Sequence, residues 1–113
     1  MRRGDASHGV WFVDFTPETP YSSNAALPIT TSCSFNRTLW YKTANQFGRE
    51  ARAFMNVGNA YSTFWAPVVN ILRDPRWGRN LECTGEDPFL RCGGCLAQGR
   101  TEEAIMWAYG GDR

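Results

Sequence analysis

Long apolar runs are missing from this 113-residue chain, and none approaches the roughly 20 residues that a membrane-spanning helix needs. No apolar stretch stands behind the arginines of Met1-Arg2-Arg3-Gly4-Asp5, so the expectation is a soluble chain with no visible export signal. A dominant charge is also absent. The 12 basic and 11 acidic residues leave +1 with the signs interleaved, which gives no case for a nucleic-acid or anionic-membrane partner. Histidine occurs once, as His8. Cys92-Gly93-Gly94-Cys95 has no second CxxC to complete the four ligands of a structural zinc site, and Cys33 and Cys83 stand isolated. The pair therefore reads as ordinary thiols in a glycine-rich loop, with a redox or zinc-binding protein as a remaining alternative.

Aromatic residues are plentiful, at 14% with five Trp, within an ordinary hydrophobic fraction of 42%. That composition and length suit one small globular domain. Val10-Trp11-Phe12-Val13 is compatible with a strand end, and the proline-bearing stretch from Thr16 to Pro28 with a surface loop. Trp40, Ala44, Phe47, Ala51 and Phe54 recur at helical spacing, which predicts a helix capped by Ser34 or Asn36 and running to about Asn56, with Gly58 as its left-handed stop. Thr63 to Leu72 is apolar at successive positions, which predicts a strand covered on both faces in a parallel sheet. Asp87-Pro88 then has the form of an N-cap followed by the first helical residue. Strand, helix and strand in this order is the grammar of an α/β fold. Glu102 to Tyr109 could add a short helix, and Asn36-Arg37-Thr38 is a glycosylation sequon that matters only in a secreted chain.

The chemistry is concentrated in Arg73-Asp74-Pro75-Arg76-Trp77-Gly78-Arg79, followed by Glu82 and Gly85-Glu86-Asp87-Pro88. Guanidinium groups, carboxylates and an indole in one short segment suit a polyhydroxylated ligand better than a core, because charges that are even partly buried must find partners. Glu86 and Asp87 have the look of a paired catalytic dyad, but the helix cap accounts for them.

With these segments stand Asp5-Ala6-Ser7-His8-Gly9-Val10, Ser34-Phe35-Asn36-Arg37-Thr38-Leu39-Trp40, Glu50-Ala51-Arg52-Ala53 and Phe64-Trp65-Ala66-Pro67. Taken in order, they resemble the amino-terminal domain of family 3 glycoside hydrolases, in its β-xylosidase and β-glucosidase group. The likeness runs from Asp5 to about Leu90. It implies a partial (β/α)8 TIM-type barrel of about three βα units, since a closed barrel takes about 250 residues. Residues 91–113 have no such likeness and are expected to form an unrelated, irregular tail.

The resemblance further implies a retaining hydrolysis of β-linked glycosides or oligosaccharides, using an aspartate nucleophile and a glutamate acid/base. Two carboxyl groups about 5 Å apart perform such chemistry without a metal or other cofactor. Neither matching motif lies in this sequence, so no catalytic residue is expected here, and the family's proteins are often secreted. What carries over is part of the sugar subsite. Asp5 would accept hydrogen bonds from sugar hydroxyls, Arg79 would donate to them, and Glu82 would orient Arg79. Arg73, Asp74, Arg76 and Trp77 would brace the loop as an ion-pair lattice, and His8 would be a hydrogen-bonding residue at a strand end. Where the xylosidase branch commonly has Glu, this chain has the shorter Asp5, which leaves room for a hydroxymethyl group and points weakly to glucosides.

Two function classes follow: part of a glycosidase, or a noncatalytic sugar-binding or regulatory module whose tail seals the strand edges. On the first, the purified chain is expected to show no glycosidase turnover and to be poorly stable. A cooperative thermal transition accompanied by hydrolysis of an aryl glycoside would refute it.

Overall fold

The computed structural model describes residues 4, 5, 7–11, 13–60, 64, 65, 68 and 70–92. Strand β1 (Gly4–Asp5), helix α1 (Pro28–Ser32), helix α2 (Arg37–Asn56) and strand β2 (Phe64–Trp65) follow one another. A 3-10 turn at Asn80–Glu82 and a helical segment at 88–92 come after them.

Helix α2 forms where the apolar stripe and its end signals agree. The side-chain oxygen of Asn36 accepts the Leu39 N–H at 3.0 Å, satisfying one of the free donors of the first turn. At the other end Gly58 takes φ 78, its N–H donates to Met55 O at 3.0 Å, and the Asn59 N–H donates to Phe54 O at 2.9 Å. This is the paired closure of a Schellman cap. Between the caps, Trp40, Ala44, Phe47, Ala51 and Phe54 are buried as the spacing predicts. Burial of side chains the size of Phe47 and Phe54 contributes about 1.5–3 kcal/mol each. A cap contributes about 1 kcal/mol. Packing therefore holds α2 in place, and the caps set its length.

The buried stripe meets Val10, which is 1% exposed, with Val13, Ala25, Ala60 and Phe64 packed around the same cluster. Here the structure departs from the strand-end expectation for Val10 to Val13. The strand lies upstream at Gly4–Asp5, and Val10 is apolar because it caps the core on α2. Trp11, Val13 and Val10 stand outside the named strands, and Phe12 lies outside the described residues.

β1 and β2 pair in parallel, with Gly4 opposite Phe64 and Asp5 opposite Trp65. Parallel neighbours need a long crossover, and both helices lie in it. The β-α-β order of an α/β fold is thus present at this joint. The strand expected over Thr63 to Leu72 is met in part, and residues 63, 66, 67 and 69 lie outside the described residues. Of its described residues only Phe64 and Trp65 are paired, and Trp65 is 59% exposed rather than covered on both faces. The Leu72 N–H donates instead to Gly85 O at 3.0 Å.

Helix α1 was not legible as a helix. Its one signal is Pro28 at the first helical position. It is tied to α2 by the Trp40 ring N–H, which donates to Thr31 O at 2.9 Å, and it packs against the Asn80–Glu82 turn. The loop ahead of it begins with a turn in which Thr16 and Thr19 pair through their backbones. The segment expected from Glu102 to Tyr109 lies outside the described residues, as does Cys95, while Cys92 is exposed on the 88–92 helical segment.

Among the described residues, Gly9 is a glycine required by contact. Gly9 pairs with Asn24 at φ 156, and a Cβ there would stand 2.6 Å from the Ser23 carbonyl oxygen. A Cβ at Gly58 would meet nothing within 4 Å. Gly58→Ala should therefore carry only the left-handed backbone penalty of about 1–2 kcal/mol, whereas Gly9→Ala adds a backbone clash and should cost more. Urea titrations followed by far-UV circular dichroism will order the two variants; equal midpoints would contradict the close approach.

Candidate functional site

The His8 segment reaches the site because α2 holds it indirectly. Glu50 on α2 accepts the Ser23 N–H at 2.8 Å and the Gln46 side-chain amide at 2.7 Å. Burial acts to raise the Glu50 pKa, but the hydrogen bonds from Ser23 and Gln46 hold it below its ordinary value of 4.5. The strand of chain that Glu50 fixes then grips the next one. The Ser22 hydroxyl donates to Val10 O at 3.1 Å, and the Ala25 N–H donates to His8 O at 2.8 Å. His8 is further placed by its ring nitrogen Nδ1, which is 3.0 Å from the Ser7 hydroxyl.

The arginine loop arrives from the other side. The Asp74 carbonyl accepts the Trp77 N–H at 3.2 Å to close a turn, and the Asn80 side-chain amide donates to Pro75 O at 2.6 Å. Cys83, fully buried, and Thr84, 6% exposed, anchor the chain immediately after the Asn80–Glu82 turn. Burial pushes the Cys83 thiol pKa up, so it is a packed group and not a reactive one.

Between these two parts lies a cleft of about 380 Å³, lined by Ser7, His8, Trp11, Leu27, Gly78, Arg79, Leu81 and Glu82. Arg79 and Glu82 meet in a two-pronged pair. Arg79 Nε donates to Glu82 Oε1 at 3.1 Å, and Arg79 Nη2 to Glu82 Oε2. That hydrogen bonding, with the guanidinium charge and a smaller contribution from His8, holds the Glu82 carboxyl below its ordinary 4.5 against the opposing effect of partial burial. A carboxylate fixed on one side of a guanidinium orients the fork.

The rest of the charged motif does something different. Arg76 donates to Asp74 through Nε at 3.0 Å and Nη2 at 2.8 Å, and through its backbone N–H at 2.9 Å. The pair lowers the Asp74 pKa and raises that of Arg76, yet the Arg76 side chain is 88% exposed. Exposed pairs of this kind contribute little to stability. Arg73, Asp74, Arg76 and Trp77 line a second cavity of about 410 Å³ with Asn70 and Ile71. Arg76–Asp74 and Arg79–Glu82 are separate local pairs, each closed within its own turn, and they face two cavities.

Asp5 is the last residue of β1 and pairs with Trp65 through the backbone; the expected role of its carboxylate falls outside the described residues. Asp87 proves to be the cap of the 88–92 segment, its oxygens accepting the Phe89 and Leu90 N–H groups at 3.0 and 3.1 Å. Glu86 is exposed. Among the described residues no group of three or more His, Cys, Asp or Glu gathers as a metal site. Trp11, Leu27 and Leu81 were missed from the sequence. Trp11 had one usable signal: it follows a buried valine, and successive side chains in extended chain point to opposite sides.

No protein-family model matches the chain. Over 90 residues, or 76% of the chain, it is 44% identical to β-xylosidase/α-L-arabinofuranosidase 1 of Medicago sativa subsp. varia and 47% identical to β-D-xylosidase 3 of Arabidopsis thaliana. A solved GH3 exo-β-xylosidase, in complex with a xylobiose aziridine activity-based probe, superposes with a TM-score of 0.85 at 29% identity, covering 90% of this chain and 14% of that one. On these likenesses the chain resembles part of a glycoside hydrolase. It belongs to family 3, matching the amino-terminal fold region of its β-xylosidases, and it spans about 12% of the length of the plant relatives named here.

The Arg79–Glu82 pair generates a pH prediction. Because the folded Glu82 pKa is depressed, the contribution of the pair is fully present above pH 4.5 and is lost as pH falls through the lower folded value. Arg79→Ala should return the Glu82 titration midpoint to 4.5 or higher, read from its side-chain carboxyl resonance. An unchanged midpoint would mean that the pair does not form.

Proposed function

We propose that this chain supplies part of the sugar-binding subsite of a retaining O-glycosyl hydrolase acting on β-linked xylosides or glucosides. The observation that carries this reading is the Arg79–Glu82 fork on the wall of a cleft that also presents His8 and Trp11. A guanidinium oriented by a carboxylate can donate to adjacent sugar hydroxyls, and Asp5, at the carboxyl end of β1, is the proposed acceptor for others. The nucleophile and the acid/base are assigned to parts of such an enzyme beyond these residues, so the chain alone is inactive. No cofactor enters this chemistry.

Residues 1–90 are proposed to be a partial (β/α)8 barrel of about three βα units, with 91–113 an unrelated tail. The parallel β1–β2 pair with its helical crossover supports a barrel segment. Large exposed side chains support an enzyme part over a freestanding binding module: Tyr21 is 80% exposed, Phe35 74%, Phe89 72% and Trp65 59%. A self-sufficient module would cover such surface.

The names of the relatives favour a pentoside, while the short Asp5 carboxylate leaves room for a hexoside. A chimera of an active family 3 β-xylosidase, with residues 1–90 replacing the matching segment, separates these effects. It should hydrolyse aryl β-xylosides faster than aryl β-glucosides, and Arg79→Ala should lower kcat/KM on the order of a hundredfold. A chimera indifferent to Arg79→Ala would overturn the subsite assignment.

A further inference from the structure

We propose that Trp11 is the stacking platform of the sugar site, selecting a pyranose ring whose hydroxyls are all equatorial. This rests on the reading of the Arg79 cleft as a sugar subsite, and it assigns a residue to the part of that subsite which recognises the ring face. Trp11 lines the cleft together with Leu27 and Leu81, and these form its apolar surface, while Arg79 and Glu82 provide its charged surface.

The geometry separates Trp11 from an ordinary core residue. Its neighbour Val10 is 1% exposed and belongs to the core, whereas Trp11 is 48% exposed. It is open and yet held: its ring centroid lies 5.3 Å from that of His8, with the planes tilted by 41°, and His8 is itself fixed by Ser7 and by the Ala25 N–H. An aromatic group fixed before binding loses little freedom on contact with a ligand.

The chemistry follows from the shape of the sugar. In a β-xylo- or β-gluco-configured pyranose the hydroxyls lie around the ring edge, leaving faces lined with C–H groups. An indole face carries partial negative charge, and it attracts such polarised C–H groups while shedding water from apolar surface. The hydroxyls at the edge would then meet the Arg79–Glu82 fork. An axial hydroxyl, as in a galactoside, places an oxygen on one face and loses that fit. Trp11 thereby discriminates by ring configuration, a property the charged pair alone cannot supply.

The test is a titration of the isotope-labelled full chain with methyl β-D-xylopyranoside and, separately, methyl β-D-galactopyranoside, in trimethylamine N-oxide to favour the folded form. The Trp11 indole N–H resonance should shift with the xyloside, and the galactoside should bind about tenfold more weakly. Trp11→Ala should weaken xyloside binding about tenfold, and Trp11→Phe by less than about threefold, with far-UV circular dichroism unchanged. If the xyloside binds and Arg79→Ala abolishes binding while Trp11→Ala leaves it intact, the platform is overturned and the subsite stands. A galactoside that binds as well as the xyloside overturns the selectivity. A chain that binds neither sugar overturns both the platform and the subsite.

Discussion

Val10 sits in the apolar stripe of α2 against Phe47, Ala51 and Phe54, and its near neighbours His8 and Trp11 take their positions from that burial. An apolar contact of this kind has no directional preference, so the orientation comes from polar groups around it. Glu50 holds Ser23, Ser22 holds the Val10 carbonyl, and the Ala25 N–H holds the His8 carbonyl. The result is a relay from the middle of a helix to a cleft, in which the Glu50 carboxylate and the Ser22 hydroxyl each hold a backbone group and the Ala25–His8 link is backbone to backbone. Gly9 stands inside the relay, where the two segments approach too closely for a Cβ.

The cleft itself combines a rigid charged pair with open aromatic surface. Arg79 and Glu82 lie at the start and the end of a single short turn, so their pairing is local and needs little from the rest of the fold. The aromatic and aliphatic wall comes from distant segments, at Trp11 and Leu27, and depends on α1 and α2 being correctly packed. Loss of tertiary packing should therefore dissolve the apolar wall before the ion pair. This division also explains why the charged motif reads so clearly in the amino-acid sequence. Its contacts fall within a few residues of each other.

The same distinction decides what else was legible. Helix α2, its Asn36 and Gly58 ends and the Asp87 cap are all local patterns of spacing and turn chemistry, and each appears where the sequence places it. Strand identity is a different matter, because a strand exists only by pairing with another. Val10 and Val13 come from a run with the apolar content of a strand but pack in the core on α2, whereas Gly4–Asp5 has no such content and is paired with Phe64–Trp65. Trp11 was hidden for a related reason: its role depends on where a loop some seventy positions further on comes to rest. The family likeness supplied what spacing could not, by connecting His8-Gly9-Val10 with the arginine loop.

Cys83 gives the molecule a built-in chemical reporter. It adjoins Glu82, is completely enclosed, and has its thiol held in the protonated form, whereas Cys33 and Cys92 are open to solvent. Among the described cysteines, an alkylating reagent will modify Cys33 and Cys92 first and reach Cys83 only when the loop carrying the Arg79–Glu82 pair lifts away. The rate of that slower modification would count how often the cleft wall opens, so a ligand seated against the wall would announce itself by slowing the reaction at a sulfur atom it never touches.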